Sequence, residues 1–179
     1  MSWGEVKLED IFEIVRGGSP RPIDAYITEE DDGYNWISIK DASNSEKYIE
    51  KTKLKIKKEG LKKSRLVKPG DFLLTNSMSF GRPYIMKTTG CIHDGWLALS
   101  GDEKHVDSDY FYHLLSSETL RRKFASLAKG AVVKNLNINL VKSVEIPLPY
   151  PDDPEKSLKE QKRIAAILDK ADGIRRKRQ

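Results

Sequence analysis

The sequence contains one cysteine, Cys91, so it can form neither an internal disulfide nor a cysteine-cluster zinc site. It also lacks any run approaching the ~20 apolar residues that a membrane-spanning helix requires. The first residues, "MSWGEVKLED", contain no basic segment followed by an apolar one, which a secretory signal peptide would have. These absences favour a cytoplasmic protein that does not interact with a membrane.

The motifs of several enzyme classes are missing as well. There is no glycine-rich cofactor loop or Asn-Pro-Pro-aromatic motif of a methyltransferase, and no G-x-x-x-x-G-K-[ST] phosphate loop. The acidic run "PDDPEK" (151–156) lies among prolines, which cannot form the strand that a metal-dependent nuclease site needs. Cys91 and His93 lack a second pair of ligands and an orienting third group. We therefore predict no catalytic residue, no metal site and no cofactor.

Positive charge is concentrated in two segments of the chain. Residues 51–70 contain nine basic residues and one acidic residue, and residues 162–179 contain seven basic and two acidic residues. Because the net charge of the whole chain is only +5, the remainder is acidic overall. Basic segments on an acidic body indicate a directed contact with a polyanion. The alternative for each lysine run is an ordinary solvated face.

The first 150 residues are predicted to be mostly β-structure, because short apolar or alternating runs are separated by turn residues. In the second run quoted below, Leu54 and Ile56 are expected on one face and the lysines on the other. The predicted strands are "YNWISIKDA" (34–42), "KTKLKIK" (51–57), "RPYIMKTTG" (82–90) and "GWLALSG" (95–101). "VKPGDFLLTNS" (67–77) is predicted to be a Pro-Gly turn that enters a buried strand, and "VEIPLPYP" (144–151) a last extended piece that prolines close off.

Two helical segments interrupt this β-rich region. Residues 107–128 carry an apolar stripe at helical spacing, with Asp107 or Ser108 as the N-cap and a break at Ser116-Ser117. Residues 137–143 are typical of one short helical turn that is capped by Asn137.

The character of the chain changes after a proline-rich linker at 151–157. Residues 158–179, "LKEQKRIAAILDKADGIRRKRQ", are helix-forming, and their apolar residues recur at spacings of three and four. A helix of this length is marginal alone, so we expect it to pack against a partner. The predicted fold is α+β, with a β-rich globular domain at 1–150 followed by a coiled-coil-forming helix. The predicted partner-facing residues are Ile164, Ile167, Leu168, Ala171 and Ile174.

Two loops carry side chains suited to gripping DNA. These loops are "TNSMSFGRP" (75–83) and "KGAVVKNLNIN" (129–139). Hydroxyls and amides donate to phosphates and base edges, and arginine makes bidentate contacts with guanine. The alternative is purely structural, with Gly81-Arg82-Pro83 as a tight turn and Asn137 as a cap. Together with the basic segments, the predicted DNA-binding residues are Arg21, Lys40, Lys53, Lys55, Lys57, Lys62, Lys63, Asn76, Ser77, Ser79, Arg82, Lys134, Asn135 and Asn137.

The order of segments resembles that of a target recognition domain from a type I restriction–modification specificity subunit. The resemblance covers nearly the whole chain. It is carried by "VKLEDIFEIVRGGSP", "WISIKD", "YIEKTKLKIKKEGLKKSRLVKPGDFLLTNS", "IHDGWLAL", "FYHLLSS", "GAVVKNLNINLVKSVEIPLP" and "EQKRIAAILDKAD".

The resemblance implies a non-catalytic DNA-recognition module that reads one half of a bipartite target in double-stranded DNA. It also implies that the helix binds the methyltransferase subunit in a complex that includes the restriction subunit. Self-association through the C-terminal helix is a separate hypothesis for its partner. Two other hypotheses stay open at this point. One is a nuclease or methyltransferase fragment with an unrecognised active site, and the other is an assembly adaptor that does not bind DNA.

Overall fold

The structure, a computed structural model, describes residues 2–76, 81–129 and 136–178, with the side chain of Lys129 left out. Within these residues the strands are β1 (Trp3–Lys7), β2 (Phe12–Arg16), β3 (Ile27–Thr28), β4 (Tyr34–Ile37), β5 (Tyr48–Ile49), β6 (Leu54–Ile56), β7 (Arg65–Val67), β8 (Phe72–Thr75), β9 (Pro83–Met86), β10 (Gly90–Ile92), β11 (Trp96–Gly101) and β12 (Glu145–Pro149). The α-helices described there are α1 (Leu8–Ile11), α2 (Ile39–Ser43), α3 (Ser108–Ser116), α4 (Glu118–Lys129), α5 (Ile138–Lys142) and α6 (Pro154–Arg176).

The strands form two five-stranded sheets and a two-stranded ribbon. The central sheet has the order β2-β11-β8-β9-β5, and the outer sheet has the order β3-β6-β4-β10-β7. The ribbon pairs β1 with β12 in an antiparallel arrangement, so the N-terminal strand lies beside the segment that leads into α6. The mixture of helices and sheets confirms the predicted α+β class.

The central sheet is buried on both faces, which explains the unbroken apolar run of β8. Phe72 and Leu74 face the helices and pack with Phe111 and Phe124. Leu73 points the opposite way and joins the core between the two sheets. The fold is therefore layered, with helices on one side of the central sheet and the outer sheet on the other.

The outer face of the outer sheet is covered by loops rather than by helices. Trp36, Ile56 and Cys91 form a small core there with Tyr26 and Leu61, which belong to the covering segments. These segments contain short 3-10 turns at Ile23–Ala25 and Lys58–Lys63. The covering brings the lysine-rich turn next to the chain that follows β2.

Two of the predicted strands are wrong in part. The predicted strand 34–42 ends at Ile37, because Ser38 caps α2 and exchanges hydrogen bonds with Asp41 in a capping box. In the predicted strand 51–57 only Leu54–Ile56 is extended, and Leu54 is 44% exposed while Ile56 is buried. Of the two residues predicted on the apolar face of this strand, only Ile56 is therefore buried.

The helices follow the sequence signals more closely. Asp107 accepts a hydrogen bond from the backbone N–H of Tyr110 at 2.9 Å, and the helical segment breaks at Ser117, as predicted. The last helix begins at Pro154, inside the segment predicted as a linker, with Asp153 as its N-cap. Among the helices of the described residues, none combines the length and apolar character needed to cross a membrane.

Candidate nucleic-acid interface

At one end of the central sheet, where strands begin and finish, the ends of strands that are far apart in sequence lie side by side. The antiparallel register pairs Leu97 with Arg16, Trp96 with Thr75, and Leu74 with Pro83. The chain therefore leaves β2 and β8 and enters β9 and β11 at the same edge. We call this the loop edge, and its described residues are Arg16–Arg21, Asn76, Gly81, Arg82 and His93–Gly95.

Gly81-Arg82-Pro83 forms the tight turn that the structural alternative predicted. Gly81 has a φ of +72°, and its N–H donates to the carbonyl of Thr75 at 2.8 Å. The backbone N–H of Arg82 donates to the hydroxyl of Thr75 at 3.1 Å. The Arg82 side chain is exposed, and its guanidinium carbon lies 5.1 Å from the ring centroid of Tyr84. An arginine is thus presented to solvent on a restrained backbone.

The prediction that Asn76 contacts DNA directly is wrong. It is 1% exposed, and its amide nitrogen donates to the backbone carbonyl of Asp94 at 3.2 Å. Its own backbone carbonyl accepts from the N–H of Leu136 at 3.0 Å. A side chain this deeply buried joins the strand ends to one another and cannot reach a nucleic acid.

The two predicted gripping loops meet at the loop edge. The hydrogen bond between Asn76 and Leu136 places the end of the 129–139 segment beside the end of β8. Asn137 caps α5, because its side-chain oxygen accepts from the N–H of Asn139 at 2.9 Å. Asn137 therefore acts as a helix cap, which was the structural alternative to a DNA contact. The other predicted residues of these loops, Ser77, Ser79, Lys134 and Asn135, lie outside the described residues.

Asp94 is a residue of the loop edge that the sequence prediction missed. Its carboxylate accepts from the hydroxyl of Ser19 at 2.9 Å and lies 3.7 Å from the guanidinium of Arg21. Its backbone carbonyl accepts from Nε of Arg16 at 3.0 Å. The signals that could have found this group are "RGGSP" and "IHDG", each of which begins at the last residue of a strand.

His93 and Cys91 lie within the fold at the end of β10. Nδ1 of His93 accepts from the N–H of Gly95 at 2.9 Å, and burial lowers the pKa of this imidazole. Cys91 is fully buried, and burial raises the pKa of its thiol to about 11, so the thiolate is disfavoured. Within residues 2–76, 81–129 and 136–178 no group of three or more potential metal ligands is found.

The predicted cationic residues divide into two groups by position. Lys40 and Lys53 flank the ends of β4 and β6 that adjoin the loop edge, since Trp36 pairs with Leu54 and β4 runs parallel to β10. The backbone of Lys63 lies beside the chain after β2. Its carbonyl oxygen is so close to Gly18 that a Cβ atom added there would lie 2.6 Å from it.

Lys55 and Lys57 point towards the other end of the outer sheet. The ammonium of Lys55 lies 3.3 Å from the carbonyl of Asp31, and that of Lys57 lies 3.3 Å from the carbonyl of Ala25. Lys62 and Arg21 are exposed, and the ammonium of Lys63 donates to the hydroxyl of Tyr26 at 2.9 Å. Their contacts with phosphate stay a prediction.

The C-terminal helix is attached to the body through one face. Gln161 is fully buried; its side-chain oxygen accepts from the N–H of Asp107 at 2.9 Å, and its amide nitrogen donates to the carbonyl of His105 at 3.0 Å. Further along the helix, Asp169 lies 2.8 Å from the ring of His113. The body of the domain and the first part of α6 therefore form one packed unit.

The predicted partner-facing residues of α6 are mostly exposed. Ile167 is 54% exposed, Leu168 38% and Ile174 48%, and Ala171 is exposed as well. Ile164 differs, because it is partly buried against the main core of the chain. An exposed apolar stripe thus remains on α6 beside its body-facing side, and Ile164 is not fully available to a partner.

Comparisons with known proteins give a consistent set of matches. The family model described as "Type I restriction modification DNA specificity domain" matches residues 1–179. The type I restriction enzyme MjaIX specificity subunit of Methanocaldococcus jannaschii is 28% identical over 176 residues, which cover 96% of this chain and 38% of that protein. The EcoprrI specificity subunit of Escherichia coli is 26% identical over 139 residues, covering 75% of this chain and 34% of that protein.

Solved structures share the fold. The HsdS subunit from Thermoanaerobacter tengcongensis superposes with a TM-score of 0.72 at 21% identity, covering 94% of this chain and 36% of that one. The type I restriction–modification S subunit from M. genitalium gives a TM-score of 0.60 at 18% identity, covering 97% of this chain and 40% of that one. The chain thus spans little more than a third of the length of these relatives.

Proposed function

This chain belongs to the type I restriction modification DNA specificity domain family, and on that premise we propose that it is a non-catalytic DNA-recognition module. It reads one half of a bipartite target in double-stranded DNA. The relatives are named as specificity subunits, and the chain matches about one third of each of them. That share fits one recognition domain of a larger subunit.

The observation that carries this proposal is the convergence of polar loops at the loop edge. Arg21 and Arg82 are exposed there, and the side chain of Arg16 is held by its hydrogen bond to the carbonyl of Asp94. Arginine is the residue that most often makes specific contacts in the major groove, since its fork matches guanine O6 and N7. Loops on a rigid sheet hold such groups in place before DNA arrives, which limits the entropy lost on binding.

The lysines around this edge supply affinity without sequence preference. Lys40 and Lys53 flank the loop edge, and Lys62 and Lys63 belong to the turn Lys58–Lys63 beside the chain after β2, where phosphates of a duplex centred on the edge would pass. Removing one lysine that binds a phosphate should reduce the dependence of DNA binding on salt by roughly one unit of slope. Lys55 and Lys57 contribute less, because they point towards the other end of the outer sheet, where their ammonium groups face backbone carbonyls.

The exposed stripe of α6 serves assembly in this proposal. Its partners are the methyltransferase subunit and, through the assembled complex, the restriction subunit, with self-association through the same helix as a further partnership. One of the similar chains comes from a structure concerned with "complex assembly" of "the type I R-M system", which supports a role in assembly. Ile167, Leu168 and Ile174 are large apolar side chains that remain 54%, 38% and 48% exposed.

Selection from a pool of random duplex DNA tests the proposal. The chain is incubated with the pool, alone and with the methyltransferase subunit, and bound DNA is amplified and sequenced. We expect enrichment of one short half-site. A chain that binds its partner subunit but enriches no sequence is an assembly adaptor, and a chain that binds S-adenosylmethionine or cleaves DNA with a divalent metal is an enzyme. Either result contradicts the proposal.

A further inference from the structure

The loop edge contains an acidic side chain, Asp94, beside the cationic side chains of Arg16 and Arg21. The side chain of Asp94 is 48% exposed, and that of its neighbour Arg21 is 81% exposed. The guanidinium nitrogen of Arg21 lies 3.7 Å from Oδ2 of Asp94. An exposed carboxylate on a face that binds DNA is repelled by phosphates, so its presence there needs a physical reason.

The orientation of this carboxylate is fixed on two sides. Ser19 donates to Oδ1 at 2.9 Å, and the backbone of Asp94 is tied to Arg16 and Asn76 through its carbonyl. Oδ2 remains directed towards Arg21 and solvent. A carboxylate held in this way keeps acceptor positions open in one direction, which suits the reading of a donor group.

The charge state of the group agrees with an acceptor role. The hydrogen bond from Ser19, with smaller contributions from His93 and Arg16, lowers the pKa of Asp94 below its ordinary value. At neutral pH the group is therefore ionised and can accept hydrogen bonds but not donate them. In the major groove the amino group of cytosine is the donor that aspartate and glutamate typically contact.

The spacing of the pair matches one base pair. In a C·G pair the cytosine amino group and guanine O6 are hydrogen-bonded to each other, so they lie about 3 Å apart. Their outward-facing edges present a donor beside two acceptors, O6 and N7. An arginine and a carboxylate less than 4 Å apart present the complementary pattern, donors beside an acceptor.

We propose that Arg21 and Asp94 together read a C·G base pair in the half-site. Asp94 accepts a hydrogen bond from the N4 amino group of the cytosine, and Arg21 donates to O6 and N7 of the paired guanine. This inference rests on the proposed function and goes beyond it, because it names the base pair that one pair of side chains selects. Ser19 is a positioning residue in this arrangement.

The test compares Asp94→Asn with wild type on the selected half-site and on each single base-pair variant of it. Because an amide donates where the carboxylate only accepted, we expect binding to the C·G site to weaken by about tenfold or more. Preference at that position should shift towards bases that offer acceptors. The matched control is Asp102→Asn, which removes the same charge from an exposed residue just after the opposite end of β11. It should leave the preference unchanged.

A second variant keeps the test decisive if Asp94→Asn disturbs folding. Arg21→Ala changes an exposed side chain, and it should relax preference at the same base pair as Asp94→Asn. If either variant strengthens or weakens binding to all sequences equally, the pair acts through phosphates and the inference is wrong. If wild type enriches no sequence at all, the proposed function fails as well. If it enriches a half-site whose preferences neither variant alters, only the inference fails.

Discussion

At the scale of single residues, Gly81 shows how tightly the Gly81-Arg82-Pro83 turn is joined to the core. A Cβ atom at this position would lie 2.4 Å from Cδ2 of Phe124, which is itself fully buried. Its φ of +72° is also unfavourable for any residue with a side chain. The turn that carries Arg82 is therefore positioned by α4, which packs on the helix-covered face of the central sheet.

We expect Gly81→Ala to lower the free energy of unfolding by more than Gly70→Ala does. Gly70 also has a positive φ, +94°, but a Cβ there would meet nothing within 4 Å. The control therefore carries only the backbone strain, about 1–2 kcal/mol, while Gly81→Ala adds an overlap of about 1–3 kcal/mol. Urea denaturation of the two variants measures the difference. Equal losses would show that Phe124 does not constrain the turn.

The sequence predicted some of these residue roles and missed others for identifiable reasons. A glycine before Arg-Pro indicates a turn, and Asp107 and Asn137 stand where caps are expected, so local chemistry was sufficient there. The burial of Asn76 could not be predicted, because an asparagine after a strand looks the same in sequence whether exposed or enclosed. Asp94 was missed because its partner Ser19 lies 75 positions away in the chain.

At the scale of elements, the attachment of α6 to the body depends strongly on Gln161. Its amide forms hydrogen bonds to the backbone of Asp107 and His105 and to the hydroxyl of Ser157. All three bonds are made by a side chain with no exposure to solvent. The amide thus joins the first half of α6 to the segment that begins α3.

Replacing this amide tests its role in holding the helix. We expect Gln161→Ala to cost about 1–3 kcal/mol of stability, since backbone groups at the junction lose their partners. Hydrogen exchange in the first half of α6 should become faster as well. Lys162→Ala, an exposed change on the next residue, should alter stability by less than about 0.5 kcal/mol. Unchanged exchange in Gln161→Ala would contradict the assignment.

A second attachment joins β5 to the helices and should depend on pH. The ammonium of Lys47 lies 2.6 Å from the carboxylate of Asp109. Burial alone would raise the pKa of Asp109, but the hydrogen bond and charge of Lys47 lower it overall. A lowered pKa in the folded state means that this contribution is complete above the unfolded value of about 3.9 and is lost as pH falls through the folded value.

Lys47→Met removes the partner and so tests this dependence. We expect the variant to be less stable than wild type at pH 7, because Asp109 then lacks its cation. The difference should shrink as the pH is lowered below about 4, where the carboxylate is protonated in the unfolded chain and then in the folded one. Thermal unfolding across pH 3–7 measures it. A difference that stays constant over this range would mean that the ion pair contributes nothing to stability.

The exposed stripe of α6 allows a direct test of assembly. We expect Ile167→Asp to weaken binding to the methyltransferase subunit strongly, because docking would bury an unpaired charge. The stability of the isolated chain should barely change, since Ile167 is 54% exposed. Ala166→Asp adds the same charge to a neighbouring exposed residue that lies off the stripe. Equal binding by both variants in a pull-down would contradict the assignment. Ile164 is unsuitable here, because it also packs on the core.

Many elements follow from the sequence, but β1, β2, β3 and β5 lie outside every predicted strand. The buried strands and the broken helix at 108–129 were predicted from apolar spacing and cap residues. The start of α6 was placed four residues too late, because prolines and acids suggested a linker. Proline is in fact well suited to the first turn of a helix, and Asp153 supplies the cap. The helix α2 was missed because its capping box interrupts an otherwise strand-like run.

At the scale of the whole molecule, the loop edge is assembled from segments that are distant in the chain. Arg16 and Asp94 are 78 positions apart, yet the antiparallel register of β2 and β11 makes them neighbours. The sequence indicated the separate loops and the basic segments, but not which of them meet. Only the sheet order brings Arg21 and Arg82 to one edge and leaves Lys68 and Lys104 near the opposite end.

The most direct test of this account is a comparison of charge reversal at the two ends of the central sheet. Arg21→Glu with Arg82→Glu changes two exposed cations at the loop edge, and Lys68→Glu with Lys104→Glu makes the same change in charge near the opposite end. Fluorescence anisotropy measures binding of both double variants to the selected half-site, and circular dichroism confirms that each is folded. We predict that the loop-edge variant loses specific binding and that the opposite-end variant retains it with at most a modest, salt-dependent weakening. Equal loss in both, or loss in the opposite-end variant alone, would contradict the assignment of the loop edge as the DNA-reading surface.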